Sequence, residues 1–119
     1  MQHDVFLEDC PARTTLALVA DTWSVVVIKA LGEGELRHGE LRERIGGISK
    51  KMLTQTLRKL ERNGLVEGRR LATAPPGVEY RLTDLGESLL VPVRSLSLWA
   101  EEHTPALLEA QARQAIPTA

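Results

Sequence analysis

The sequence has a single cysteine and very few aromatic residues, and both shortages limit what the protein can be. Cys10 has no second cysteine with which to form an intrachain disulfide, which is typical of proteins of the reducing cytosol. Aromatic residues make up 3% of the chain, too few for the stacking platforms that bind single-stranded nucleic acid. The histidines stand at positions 3, 38 and 103, without the spacing of a metal site. We therefore predict no metal and no cofactor.

Long apolar runs and catalytic motifs are also missing. The longest purely aliphatic run, Val25 to Ile28, is far too short to span a membrane. The first nine residues are acidic and lack the apolar core of a signal peptide, so we expect a cytoplasmic protein with no membrane partner. The sequence contains no glycine-rich phosphate loop and no nucleophile elbow, and we predict that the protein is not an enzyme.

The charge is unevenly distributed although its total is only -1. Between Arg37 and Arg81 the chain carries eleven lysines and arginines against five acidic residues, a net charge of +6. The rest of the chain has four lysines and arginines against eleven acidic residues, a net charge of -7. A cationic centre between acidic flanks favours one surface for a polyanion. The 119 residues, 43% of them hydrophobic, suit a single domain, residues 1–119, with a real core.

The segment from Ile48 to Leu65 has the clearest helical pattern in the chain. Ser49 can cap its N-terminus, and Gly64 suits the left-handed position that follows a helix. Leucines 53, 57 and 60 fall on one side at helical spacing. The opposite side carries cations and amides, namely Lys51, Gln55, Arg58 and Arg62, with Thr54 and Lys59 beside them. An α-helix fits the DNA major groove, so the pattern favours a recognition helix over the alternative, a solvated charged face.

The flanking segments favour a winged helix-turn-helix. A short strand at 35–37 and a short helix at 39–45 are followed by the tight Gly46-Gly47 turn, which places the helix-turn-helix at about residues 37–63. Two candidate strands around a proline-rich tip predict a β-hairpin, the wing, at about residues 66–82. The predicted fold class is therefore mainly α with a small β-hairpin (α+β), a winged helix-turn-helix with added N- and C-terminal dimerisation helices.

Helices are predicted on the N-terminal side of this unit. Pro11 begins a short helix that contains Leu16, Leu18 and Val19 and that we expect to be buried. Asp21 or Thr22 caps the next helix, which ends at Gly32.

Helices are also predicted on the C-terminal side, at about residues 83–115. Thr83 caps a helix that Pro92 kinks or splits, and Pro105 begins a last helical segment. Apolar residues follow a coiled-coil-like spacing here, and the predicted dimer interface comprises Leu85, Leu89, Val93, Leu96 and Trp99. Packing of this stripe on the chain's own core is the alternative.

Taken together, these features resemble the HxlR-type transcriptional regulators, a winged-helix group of bacteria and archaea. The resemblance covers roughly residues 10–99 and is carried by Cys10-Pro11, Trp23, the R-H-G-E-L of residues 37–41, the block from Gly47 to Val66 and the V-E-Y-R-L-T-D-L-G of residues 78–86. His38 stands where that family usually has an aromatic residue, and Asp21-Thr22 where small and basic residues are common. The resemblance implies a homodimeric repressor or activator on an inverted repeat, with terminal helices in the dimer interface.

We predict contacts to double-stranded DNA at nine positions: Ser49, Lys50, Lys51, Thr54, Gln55, Arg58, Arg62, Arg69 and Arg70. Lys51 and Gln55 are the candidate base readers, because Lys can bond guanine and Gln can pair with adenine. The arginines suit phosphates. The predicted function is sequence-specific regulation of transcription. The alternative is a winged helix used only for protein–protein contact, which would predict a neutral or acidic helix face.

Cys10 has two interpretations. A free cysteine is often a small buried hydrophobe. The resemblance implies the other interpretation, a sensor of redox state or electrophiles, because some members of the family use a cysteine at this place. A position near a helix N-terminus would favour the reactive thiolate, whereas the adjacent Glu8 and Asp9 would oppose it. A non-covalent small-molecule inducer is a further candidate signal.

Overall fold

Six helices and three short strands follow one another along residues 3–115, the part of the chain that this computed structural model describes. In chain order they are α1 (Pro11–Val19), α2 (Thr22–Leu31), β1 (Leu36–Arg37), α3 (His38–Arg44), α4 (Lys50–Arg62), β2 (Val66–Leu71), β3 (Gly77–Leu82), α5 (Asp84–Glu87) and α6 (Leu90–Ala115). Helices α3 and α4 form a helix-turn-helix, and β2 and β3 form the wing that follows it. The predicted fold class, mainly α with a small β-hairpin in a winged helix-turn-helix, is confirmed; the dimerisation role of the terminal helices stays a prediction.

Helix α4 begins and ends where its sequence predicts. The Ser49 hydroxyl accepts a hydrogen bond from the Met52 backbone N–H at 3.0 Å, which satisfies one of the donors left unpaired in the first turn. After Asn63 the chain leaves the helix through Gly64, whose φ of +74° is a left-handed conformation that glycine adopts without steric penalty. Both ends of the helix are therefore determined by local residues.

The core lies between α2 and α4. Val27 and Ile28 of α2 are fully buried, and the buried partners from other elements include Leu41, Leu53, Leu57 and Leu60. Burying one such side chain contributes about 1.5–3 kcal/mol relative to leaving it exposed. Since three of the four partners lie on α4, this packing fixes the helix with its leucine side inward and its polar side outward.

The sheet has three antiparallel strands in the order β1-β3-β2. Leu36 of β1 lies opposite Tyr80 of β3, and the wing pairs from Val66 opposite Leu82 to Leu71 opposite Gly77. The short strand before α3 thereby ties the start of the helix-turn-helix to the base of the wing.

Helix α5 is clamped to the turn that follows α4. The Thr83 backbone N–H donates to the Leu65 carbonyl at 3.1 Å, and its hydroxyl donates to the Gly64 carbonyl at 2.6 Å. Gly86 permits this close approach, because a Cβ at that position would lie 2.0 Å from the Leu65 carbonyl oxygen. The end of α4 and the start of α5 are consequently held together.

Helix α1 lies on the surface, so the prediction of a buried helix was wrong. None of its residues is buried, Leu16 is exposed, and Leu18 and Val19 are half-buried against the core. Its apolar residues indicated a helix correctly but not how deeply the helix packs. Among residues 3–115 no single helix is long and apolar enough to cross a membrane; α1 and α2, bent by 72° at their junction, meet that test only as a pair.

Helix α6 is continuous through Pro105, which was predicted to begin a separate segment. Nearby side chains bond carbonyls of the preceding turn: His103 Nδ1 donates to the Trp99 carbonyl at 2.9 Å, and the Thr104 hydroxyl donates to the Ala100 carbonyl at 2.6 Å. Pro92 lies in the first turn, where a missing N–H is tolerated, and the break between α5 and α6 comes before it.

Candidate nucleic-acid interface

The outward side of α4 gathers seven of the nine predicted DNA contacts. We call this surface the polar face; it consists of Ser49, Lys50, Lys51, Thr54, Gln55, Arg58 and Arg62. All of these residues are exposed except Thr54, which is half-buried. Because side chains three and four residues apart share one side of a helix, Lys51, Gln55, Arg58 and Arg62 form one continuous strip opposite the buried leucines. Lys50 lies in the first turn, nearer to the leucine side.

The cations of the polar face are not neutralised by the protein. Among the described residues, no carboxylate oxygen lies within 4.0 Å of the charged groups of Lys50, Lys51, Arg58 or Arg62. Unpaired cations on an exposed helix can contact phosphates or base edges without first breaking an internal ion pair.

His38, which was not among the predicted contacts, joins α3 to the polar face. Its Nε2 lies 3.0 Å from the Thr54 hydroxyl oxygen. Burial lowers the pKa of His38 below its ordinary value of 6.5, and the positive charges of Arg42 and Lys50 lower it further. The imidazole is therefore held in the neutral form. In the sequence, His38 differed only by replacing the aromatic residue that is usual in the resembling family, and this contact was not predicted from it.

Two of the three wing arginines are paired across the strands. Arg69 on β2 lies opposite Glu79 on β3, and its Nη2 is 2.9 Å from the Glu79 Oε1 and 3.6 Å from Glu35. The next pair in the same register, Glu67 and Arg81, also forms an ion pair. The predicted contact Arg69 is therefore on the wing, but its charge is shared with acidic neighbours.

Arg70 differs from Arg69 although it is the next residue. It lies opposite Val78, is exposed, and has no carboxylate within 4.0 Å among the described residues. Arg37, which was not predicted, reaches the wing tip from the start of α3, where its Nη2 lies 3.4 Å from the Thr73 hydroxyl. Only the tertiary structure reveals that residues 37 and 73 meet. Arg70 on the wing and Arg37 at its tip therefore add two basic side chains to the cations of the polar face.

The residues of the predicted dimer interface divide into two groups. Val93 is only 6% exposed in the single chain and belongs to its core, and Leu89 packs half-buried against that core. Leu85, Leu96 and Trp99 are exposed. Further exposed apolar side chains of α6 were not predicted, namely Val91, Leu98, Leu107 and Leu108. The stripe therefore serves the chain's own core at its inner positions and is uncovered elsewhere.

Cys10 lies immediately before α1 and is 6% exposed. Its thiol is free and buried within the single chain. The structure thus places Cys10 at the N-terminal end of α1.

Comparison with known proteins gives consistent similarities along most of the chain. The HxlR-like helix-turn-helix family model matches residues 18–107. YtfH of Escherichia coli (strain K12), an uncharacterized HTH-type transcriptional regulator, is 41% identical over 107 residues, which are 90% of this chain and 85% of YtfH. The structure of the transcriptional regulator YtfH from Salmonella typhimurium has a TM-score of 0.83 and 38% identity, covering 93% of this chain and 99% of that one. The structure of the redox regulator HypR in its reduced form has a TM-score of 0.74 and 31% identity, and the match covers 83% of this chain and 98% of the HypR chain.

Proposed function

This chain belongs to the HxlR-like helix-turn-helix family and is a DNA-binding regulator of transcription, and from that premise we propose that it acts as a cytoplasmic homodimer on an inverted-repeat operator. We propose further that it has no catalytic reaction and no cofactor of its own. The observation that carries the proposal is the polar face of α4, whose cations have no carboxylate within 4.0 Å in the part of the chain that the structure describes.

In this proposal α4 enters the major groove. Lys51 and Gln55 contact base edges, since Lys bonds guanine O6 and N7 and Gln pairs with adenine N6 and N7. The remaining polar-face residues and Arg70 contact the sugar–phosphate backbone and fix the orientation of the helix. Arg69 contributes less, because its contact with phosphate competes with Glu79.

The proposed dimer is supported by the apolar surface that one chain leaves uncovered. Exposed leucines and a tryptophan run along α6, and Leu85 and Leu16 are exposed on α5 and α1. A single soluble chain rarely exposes so many large apolar side chains along one element without a partner. We assign Leu85, Leu96 and Trp99 to the interface, whereas Leu89 and Val93 support it from within the chain's own core.

Two features near α1 are candidate inputs for regulation. The buried Cys10 directly precedes α1, and HypR, a relative of known structure, is a redox regulator. A cleft of about 370 Å³ lies between α1 and α5 and is lined by Thr14, Thr15, Leu18, Val19, Asn63, Leu65, Leu85, Ser88 and Leu89. A mainly apolar lining with a few polar groups is typical of small-molecule sites. An inducer there would touch Asn63, the C-cap of α4.

The DNA proposal is tested by selection of bound sequences from random duplex DNA with the full chain. We expect an inverted repeat whose half-sites lie about one helical turn, roughly 34 Å, apart. If each protomer neutralises about four phosphates, log K should fall with log salt with a slope near -7. Enrichment of no sequence, or affinity that does not change between about 50 and 200 mM salt, would contradict the proposal.

The dimer and the redox input need separate measurements. Leu96→Glu should yield a monomer in sedimentation, because the carboxylate would lose water at the interface without gaining a partner. A monomeric unmutated protein at micromolar concentration would rule out the dimer.

For Cys10, operator affinity is measured before and after diamide treatment, with Cys10→Ser as the control. Equal affinities of the treated and untreated protein would make the residue structural.

A further inference from the structure

Lys59 is the cation of α4 that turns away from the polar face. Its ammonium donates to the Leu18 carbonyl oxygen at 3.0 Å and lies 2.5 Å from the Asp21 Oδ2. Leu18 is in the last turn of α1, where carbonyl groups have no partner within the helix and a positive charge is favourable. Lys59 therefore caps the C-terminal end of α1 from the edge of α4 beside the polar face.

Asp21 fixes that ammonium to the rigid part of the molecule. Its carboxylate also caps α2, accepting from the Ser24 N–H at 3.0 Å and from the Ser24 hydroxyl at 2.7 Å. Ser24 is fully buried, and α2 is anchored in the core through Val27 and Ile28. Burial raises the pKa of the Asp21 carboxyl, but hydrogen bonds from Lys59 and Ser24 outweigh that effect and leave the pKa below its usual range. The carboxylate is thus charged and held in place.

Helix α1 has few other means of holding its orientation. None of its residues is buried, and only Leu18 and Val19 near its end pack against the core. At its beginning, Arg13 bonds the backbone carbonyls of Val5 and Phe6, which are in the same N-terminal segment. The contacts of Lys59 are therefore a large part of what relates α1 to α4.

We propose that Lys59 is a positioning residue that sets the angle between α1 and α4 and thereby the separation of the two recognition helices in the homodimer. This inference rests on the proposed function, since the angle reaches the DNA only if α1 takes part in the dimer interface. Two recognition helices must match half-sites at a fixed distance along the duplex. A change of the α1–α4 angle in each protomer displaces both helices relative to that distance.

Three substitutions distinguish a residue that positions α1 relative to α4 from a residue that contacts DNA directly. Lys59→Met removes the ammonium and keeps an unbranched apolar stem for packing. Asp21→Asn removes the negative charge but leaves a side-chain oxygen that caps α2, because Asn and Asp are comparable N-caps. Arg62→Met is the matched control: Arg62 is one turn further along α4, exposed, and a proposed phosphate contact. Lys59 and Asp21 have no proposed contact with DNA.

The experiment uses the inverted repeat selected by the full chain, with its spacer lengthened or shortened by one or two base pairs, and an isolated half-site. We expect the unmutated protein to lose at least about tenfold in affinity for a one-base-pair change, within the usual range of coupling between sites. The Lys59→Met and Asp21→Asn proteins should lose less than about threefold in affinity when the spacer changes by one base pair. Their affinity for the isolated half-site should stay within about twofold of that of the unmutated protein. Arg62→Met should weaken every duplex similarly and keep the spacing preference.

Three other results would overturn the inference. If Lys59→Met keeps the full spacing preference, the angle does not depend on Lys59, and the proposed function stands without it. If both variants lose affinity equally for the half-site and for every spacer, the ion pair is merely structural. If Lys59→Met does not fold, Asp21→Asn carries the same test. If the unmutated protein selects no inverted repeat, the proposed function fails, and this inference fails with it.

Discussion

The polar face of α4 and the wing contain the same kinds of basic residue, but the protein surrounds them differently. Lys51, Arg58 and Arg62 on the helix have no carboxylate within 4.0 Å among the described residues. On the wing, antiparallel register sets Arg69 opposite Glu79 and pairs Arg81 with Glu67. The two regions are similar when only their basic residues are counted, four on the polar face and three on the wing, but they differ in how much of that charge is available to DNA.

This difference shows why a charge count is an incomplete guide to a nucleic-acid surface. Exposed ion pairs are individually weak, about 0–1 kcal/mol, so the wing arginines are not locked. Arg69 and Arg81 must nevertheless give up a carboxylate partner before they bind phosphate, whereas the cations of the polar face need not. We therefore expect binding free energy and specificity to be concentrated on α4 and to depend on Arg70 within the wing.

The largest effect is expected from the base-reading positions of α4. Lys51→Ala and Gln55→Ala should each reduce discrimination between the operator and unrelated DNA by about 1–3 kcal/mol. The measurement is the ratio of the two dissociation constants at one salt concentration. If Gln55→Ala weakens binding to all sequences equally, Gln55 does not read a base.

The next largest effect is expected from Arg70 of the wing, and it should exceed the effect of its neighbour Arg69. Arg70→Ala should weaken specific and non-specific binding alike and reduce the magnitude of the salt slope by about 0.9 for each protomer in contact. Arg69→Ala should change both quantities less, since Arg69 is paired with Glu79. Affinities of both variants across a salt series provide the test; equal effects would remove the distinction between paired and unpaired arginines.

A smaller effect should follow from releasing a paired arginine. Glu79→Gln keeps the size of the side chain and removes the charge that holds Arg69. Non-specific DNA binding should tighten by up to about fivefold, the equivalent of an exposed ion pair of roughly 1 kcal/mol. The same substitution in an Arg69→Ala background should have no such effect, and tightening there would point to a different cause.

The smallest effect concerns pH and His38. Because the pKa of His38 in the folded chain is lowered, mainly by burial, the unfolded chain binds a proton more readily. Stability from this site is thus present above the ordinary pKa of 6.5 and falls as the pH drops below it. His38→Gln should flatten the change in unfolding temperature between about pH 7.5 and 5.5. An unchanged pH dependence in His38→Gln would exclude this site as its origin.

Sequence patterns predicted much of the fold and the surface of α4, but not the contacts around that helix. The helix-turn-helix and the wing were found from caps, glycine turns and strand patterns. The partner of Lys59 was not, because the structure pairs Lys59 with Asp21, 38 residues away, rather than with a neighbour in the sequence such as Asn63. Asn63 instead donates to the Lys59 backbone carbonyl at 2.8 Å.

The apolar stripe of the C-terminal helices shows the same difference between what sequence spacing predicts and what packing decides. Heptad-like spacing identified Val93 and Leu96 as members of one stripe, but Val93 is buried in the chain's own core, where α6 packs against α2, and Leu96 is exposed. Spacing along a helix defines a side; it does not define how much of that side its own domain covers.

The sequence by itself determined where α4 begins and ends and which of its sides is polar, because caps and helical periodicity depend on residues within a few positions of one another. Tertiary structure alone decided which cations stay free, which carboxylate holds Lys59, and how far α1 and α6 are buried. Those outcomes depend on groups that are distant in the sequence and come within a few ångströms only when α2, α4 and the sheet pack together.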